Sequence, residues 1–400
     1  MNELASVIRP GDGIIIGQAC AEPQTLVEAL VAQRSRFSGC RVFLGVNYSG
    51  AVQPAHADHL RLSSYCGIGH NRALSDAGVL DILRVPYSQL GAMIRAGEIR
   101  ADVVFVQVSP PNARGEYSLG LAADYLVPAL EVCRAVVAEV NDQVPWTRTD
   151  KVLSRRDFSL LLESSRAPAA APSRATGKIE AAIARHAAGF VPDGATLEFG
   201  IGALPDGVCS ALTGHKGLRI HSGTVGDGIV DLIQNGIARS ADCAMLIGTR
   251  RLFDFARDNP AIRLRSSEYT HNPDILGRLE RFVAINSAVE LDLGGEANSE
   301  TANGSYVGAL GGAPDFIRAA NQSPGGVSLI LIPASRIVAS LTGPVSTPGS
   351  EACFVITEHG TADLRGCAFA ERARRIIAIS PPPSRESLAR EATRLAATHK

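Results

Sequence analysis

Four hundred residues suggest two domains, and an apolar content of 46% with 20% charged residues is ordinary for a globular α/β protein. A formal net charge of −1 leaves no electrostatic footprint for nucleic acid or an anionic membrane surface, and no apolar run reaches the ~18 residues of a membrane span. The start, MNELASVIRPGDG, lacks a basic-then-apolar leader, and the eight Cys are scattered without a C-x-x-C pair, so a cytoplasmic protein with reduced core thiols and no metal site is expected.

The first element, RPGDGIIIGQACAEPQTLVEAL, reads as Gly, a short apolar strand, a small-residue turn, Pro and an amphipathic helix. DVVFVQVS (102–109) and AVVAEVN (135–141) follow as β-branched apolar runs ending in polar residues, the pattern of strands buried on both faces of a mainly parallel sheet. SSRAPAAAPSRATGK (164–178) is rich in Ala, Pro and Ser without apolar periodicity. It places a linker at 166–178, between an N-terminal domain over 1–165 and a C-terminal domain over 179–400 that KIEAAIARHAAGF opens as a helix. VPDGATLEFGIGALPDGVCSAL then repeats the plan of the first element: Gly11 and Gly17 recur as Gly194 and Gly200 at an offset of 183 residues, and Pro23 recurs as Pro205 with a one-residue slip. GVSLILIPAS (326–335) and CFVITEHG (353–360) supply later strands. The repetition implies two similar α/β domains rather than one large sheet, with ligands at the strand C-terminal ends.

Motifs run in order along almost the whole chain. They are CAEPQTLVEAL (20–30), SPPNARGEYSLGLAADY (109–125), AEVNDQVP (138–145), LEFGIGALPDG, HSGTVGDGIVDLI, LIGTRRLFDFARDNP (246–260), AINSAVELDLGGEANSE (284–300), ALGGAPDFIRAA (309–320) and VITEHGTADLRG (355–366). Together they make the chain similar to the acetyl-CoA hydrolase/CoA-transferase family, typified by butyrate and 4-hydroxybutyrate CoA-transferases. The resemblance implies a CoA-transferase-like fold and an acyl-CoA substrate, so that coenzyme A enters as part of the substrate. It also implies a small carboxylic acid or water as second partner, and a homo-oligomer.

The resemblance breaks at the catalytic position. Where the family's HSEM-SDGV carries a nucleophilic Glu, this chain has Gly223, which has no side chain to attack a thioester. Thr224 and Gly226 replace the usual Met and Ser, while His221, Ser222, Asp227 and Gly228 stay. The shrunken loop implies room for a bulky acyl group, and the retained DGIVDLI implies a site still in use. Upstream, the family's usual Gln in LQLGIG is Glu198.

Glu198 is therefore the candidate replacement carboxylate. With ATLEFG as a strand, Thr196, Glu198 and Gly200 share a face, next to the Gly turn that would border the thioester. A carboxylate in a desolvated pocket has a raised pKa and suits a general base; the alternative is a buried Glu paired for structure alone. GIGALP (200–205) misses the dinucleotide fingerprint because Pro205 stands where the third Gly belongs, so no NAD is expected. The backbone N–H groups around Gly200 and Gly202 are assigned to an acyl or carboxylate oxygen. The resemblance adds Gly308, Gly311, Gly312 and Asp315 as oxyanion or CoA contacts, and His221 beside Glu198 as a catalytic candidate. His359, in place of the family's Tyr in TEYG, reads as a packed residue. The leading reading is an acyl-CoA-processing enzyme that hydrolyses a C–S or activated C–C bond. The alternatives are a CoA-transferase with a relocated nucleophile and a non-catalytic CoA-ester-binding subunit.

Overall fold

The computed structural model describes residues 3–170, 176–200 and 202–397. Residues 171–175 of the expected linker, and Ile201 of the GIGALP turn, lie outside the described residues.

Gly13–Ile16, Val103–Val108 and Ala135–Asn141 are strands in which every residue is buried, as a parallel sheet covered on both faces requires. They lie in a seven-stranded sheet whose order is 160–164, 135–141, 103–108, 13–16, 41–44, 61–64, 80–82, with every neighbouring pair parallel. A second, nine-stranded sheet runs 360–363, 354–357, 327–331, 282–287, 196–199, 218–225, 238–246, 262–264, 148–149. Only its first pair is antiparallel. The α/β fold with mainly parallel sheets follows the expectation from sequence.

The internal repeat has a topological counterpart. Gly13–Ile16 and Thr196–Phe199 stand at the same offset of 183 residues and hold the same place in their sheets. Each has on one side the next strand of the chain (41–44, 218–225) and on the other a strand that returns later (103–108, 282–287). Beside each the winding reverses, and such a switch point leaves a crevice at the strand C-terminal ends. The two units differ in their turns: a 3-10 turn, Ala19–Ala21, precedes the first helix, Gln24–Ala32, whereas the second helix, Ala203–Ala211, starts four residues after its strand.

Two strands are shorter than their apolar runs. Val327–Leu331 stops ahead of Pro333, which lacks a ladder N–H, and a 3-10 turn follows at Ala334–Arg336. The 353–360 run reverses after Phe354–Thr357 into Gly360–Asp363, with Gly360 at φ +138°, a backbone that a side chain would strain.

One hydrophobic cluster takes Ile15, Val104 and Val106 from the first sheet and Leu197, Ile220 and Ile285 from the second, so the two sheets share a core. Each such side chain contributes about 1.5–3 kcal/mol by leaving water. A polar tie adds to it. Glu300, fully buried, accepts from Arg84 Nε at 2.7 Å, the Tyr306 hydroxyl at 2.6 Å and the Ser346 hydroxyl at 2.9 Å. Burial alone would raise its carboxyl; the Arg84, Tyr306 and Ser346 bonds outweigh burial and hold it below the ordinary range. Among the described residues no helix is long and apolar enough to cross a membrane.

Candidate active site

Along Thr196–Phe199 the side chains alternate. Leu197 and Phe199 enter the shared core, while Glu198 turns into a cleft of about 180 Å³. The first half of the chain supplies one wall, Val46, Tyr65, Ile68 and Tyr87. The second supplies Glu198, Gly200, Gly223, Thr224, His271, Asn286, Gly311, Gly312 and Phe316 among others. Glu198 pairs with Ala284 in the neighbouring strand, so Asn286, two residues on, shares its face. Its Nδ2 donates to Glu198 Oε2 at 2.9 Å. Glu198 is 4% exposed, and burial pushes its carboxyl up to about 8 against the weaker pull of Asn286 and the Ile285 backbone. The carboxyl is mostly protonated at neutral pH and becomes an available base above it.

Gly223 lies within the strand Leu218–Val225 and lines the same cleft. The room beside it is taken. A Cβ there would stand 3.1 Å from the His271 ring and 3.7 Å from Phe316, so the shortened side chain accommodates His271 rather than the expected bulky acyl group. A Cβ on Gly226 would stand 3.5 Å from the Asp206 carboxylate and from the Ile247 carbonyl, an ordinary contact. The retained DGIVDLI has a packing role. Asp227 accepts from Thr249 N at 2.9 Å and Thr249 Oγ1 at 2.7 Å at the start of helix Arg250–Ala256, and a Cβ on Gly228 would come within 2.8 Å of Cys209 Cβ.

Gly311, at φ +59°, adopts a backbone that favours glycine, and its carbonyl accepts from Tyr87 N at 2.9 Å. A Cβ on Gly312 would overlap His271 Nε2. Four other sequence candidates stand outside the lining. Asp315 turns away to accept from Ser88 Oγ at 2.7 Å and Ser88 N at 3.3 Å, which sets the segment carrying Tyr87; burial pushes its carboxyl up to about 6 against the Ser88 bonds. Gly308 packs on the Ser299 carbonyl and accepts from Gly67 N at 2.8 Å. Gly202 precedes helix Ala203–Ala211 at φ +115°. His221 is buried behind the cleft with Nε2 2.9 Å from the Thr270 carbonyl, its pKa lowered by burial, and it holds the segment that leads into His271.

Sequence reasoning missed Asn286, His271 and the two tyrosines. Asn286 was within reach, since it sits near the strand end in AINSAVELDLGGEANSE. The tyrosines are joined through Gln18: Tyr65 donates to Gln18 Oε1 at 2.8 Å, and Gln18 Nε2 donates to the Tyr87 hydroxyl at 2.8 Å and to Asp124 at 2.7 Å. No local pattern in Y-T-H-N-P marks His271.

The family model of the acetyl-CoA hydrolase/transferase N-terminal domain matches residues 1–166, and that of the C-terminal domain matches 248–392. A 4-hydroxybutyrate coenzyme A transferase of Clostridium kluyveri is 33% identical over 398 residues, 94% of this chain and 93% of its own. The chain belongs to the acetyl-CoA hydrolase/transferase family. It is an enzyme of that family, with the family's largely parallel α/β fold. Crystalline RipA of Yersinia pestis is similar at a TM-score of 0.94 and 27% identity, covering 99% of this chain and 96% of that one. A 4-hydroxybutyrate CoA-transferase of Porphyromonas gingivalis is similar at a TM-score of 0.80 and 30% identity, covering 98% and 96%.

Proposed function

We propose that this family member hydrolyses the C–S bond of a thioester, or an activated C–C bond, in an acyl-CoA by general-base catalysis from Glu198. The observation that carries the reading is a buried carboxyl aimed into a glycine-lined cleft, where position 223 offers no side chain. Ionised Glu198, held by Asn286, takes a proton from water; the water oxygen adds to the thioester carbonyl carbon and the C=O pair moves onto oxygen. When that pair returns, the C–S bond breaks with its electrons on sulfur, and the proton on Glu198 passes to the thiolate. The glycine backbones at 200 and 311, where a Cβ would meet nothing closer than 3.8 Å, allow close approach of the thioester. Because the carboxyl sits near 8, kcat rises with pH through that value.

The reading includes a cytoplasmic homo-oligomer, coenzyme A entering only as part of the substrate, and no need for metal or NAD. It treats 1–165 and 179–400 as two domains facing each other across the cleft. A second reading, a CoA-transferase with Glu198 as nucleophile, is favoured by the name of the full-length Clostridium kluyveri relative.

Incubation with a panel of acyl-CoAs, with and without acetate and with hydroxylamine or borohydride, separates the two. Hydrolysis predicts thiol release without acetate and an unmodified Glu198. A trapped Glu198 derivative and a strict need for acetate make the chain a transferase, and binding without turnover makes it a CoA-ester-binding subunit.

A further inference from the structure

The general-base route leaves the thioester oxygen without a side-chain partner, and one buried ring in the cleft is placed to meet it. His271 is 3% exposed and lines the cleft with Glu198. Its ring is held between Tyr87, with centroids 4.8 Å apart, and Phe316 at 4.6 Å. Two glycines make its seat. A Cβ on Gly312 would overlap Nε2, and one on Gly223 would stand 3.1 Å from it. The absence of a side chain at 223 is thus matched by the presence of an imidazole in the same space.

The other ring nitrogen is committed. Thr270 Oγ1 has one proton and two acceptors within reach, the Ser266 carbonyl at 3.3 Å and His271 Nδ1 at 2.9 Å; we assign the proton to the nearer, Nδ1. A hydroxyl that donates to Nδ1 leaves the ring proton on Nε2. Among the described residues Nε2 has no protein hydrogen-bond partner. The groups around the ring are His221 behind it, the Tyr87 ring beside it, whose hydroxyl accepts from Gln18, and Glu198 in the same cleft. Burial, with His221 adding to it, holds the imidazole down to about 3, so the ring stays neutral when Glu198 ionises.

We propose that the neutral Nε2–H of His271 donates the hydrogen bond that stabilises the oxyanion formed on the acyl-CoA carbonyl, in the space a nucleophilic side chain at position 223 would otherwise need. The proposal rests on hydrolysis in the Glu198 cleft. As the water oxygen adds, negative charge develops on the former carbonyl oxygen and Nε2–H donates to it without giving up its proton. On collapse the pair returns to carbon and the hydrogen bond weakens. A donor already fixed by Tyr87, Phe316 and Thr270 has no reorganisation to undergo, which is what makes such a contact effective.

The test joins kinetics to a signal that does not need turnover. In the intact chain labelled with 15N-histidine, the His271 ring is expected as the neutral Nε2–H tautomer from pH 5 to pH 9, and to shift on adding a non-hydrolysable ketone analogue of acetyl-CoA. His271→Leu is expected to lower kcat by about 10²–10³-fold with KM within a few-fold, as loss of one oxyanion donor does. His271→Gln, which carries an N–H donor at similar reach, is expected to recover at least tenfold of that loss. An Nδ1–H tautomer, an imidazolium in that pH range, or a Leu variant with kcat within threefold of wild type overturns the proposal. A wild-type chain that hydrolyses no acyl-CoA refutes the hydrolase reading, and the tautomer and its response to the analogue then still decide whether Nε2 is a donor to a bound carbonyl.

Discussion

Replacing Glu198 by Gln removes a carboxyl that folding moves from 4.5 to about 8, and the cost of that move is readable as stability. Between those two values the folded chain holds a proton that the unfolded chain has released. Wild-type stability therefore falls with rising pH across that window, by about 1.4 kcal/mol per pH unit for this group, and levels off above pH 8. The neutral amide of the variant has no such dependence, and its Oε1 can still accept from Asn286. The variant is expected to exceed wild type by less than about 1 kcal/mol at pH 5, about 3 at pH 7 and about 5 at pH 9. Denaturant unfolding of both chains at the three pH values measures the difference, in which every other titrating group cancels. A difference that stays flat across the range would refute the argument, because it would mean that Glu198 is not buried in its neutral form.

Other perturbations follow from the same contacts. Gly312→Ala drives a methyl into His271 Nε2; it is expected to cost about 1–3 kcal/mol by denaturation and to lower kcat with it. Gly223→Glu is expected to destabilise by a similar amount without producing a trapped glutamyl thioester, since His271 stands 3.1 Å from the new Cβ. Adding His271→Ala should recover at least about 1 kcal/mol of that cost, a coupling that a double-mutant cycle reads directly. Arg84→Met strips the buried Glu300 of its cation while leaving the Tyr306 and Ser346 bonds. Half exposure of Arg84 keeps the loss near about 1–3 kcal/mol at pH 7. Glu300's stabilisation is present above 4.5 and lost as pH falls through its lowered folded value, so the Arg84 variant approaches wild type in acid; a gap as large at pH 3.5 as at pH 7 would contradict this.

The parts of the site that sit on regular strands were readable from sequence. Period-two alternation is local, so ATLEFG was enough to put Glu198 and Gly200 on one face, and the buried run of Gly13–Ile16 with its copy at Thr196–Phe199 was enough for two parallel sheets. What escaped depends on contacts between distant segments. His271 is defined by what is missing at Gly223 and Gly312 and by rings from Tyr87 and Phe316, and no local pattern encodes such a seat. Asp315 and His221 share motifs with cleft residues but turn away, one toward Ser88 and one toward the Thr270 carbonyl, because loop and strand neighbours decide side-chain direction. The bulky-acyl expectation went wrong for the same reason: a residue lost at one position can be filled by a side chain from another segment.

Turnover by Glu198→Gln tests the central claim most directly. Gln keeps the shape of the side chain and accepts from Asn286, yet it cannot take a proton from water at neutral or alkaline pH. With an acyl-CoA that the wild type hydrolyses, kcat of the variant is expected to fall on the order of 10²–10⁴-fold while CoA-ester binding by calorimetry stays within a few-fold. A variant with wild-type kcat and an unchanged pH–rate profile would make Glu198 a structural residue and contradict the account.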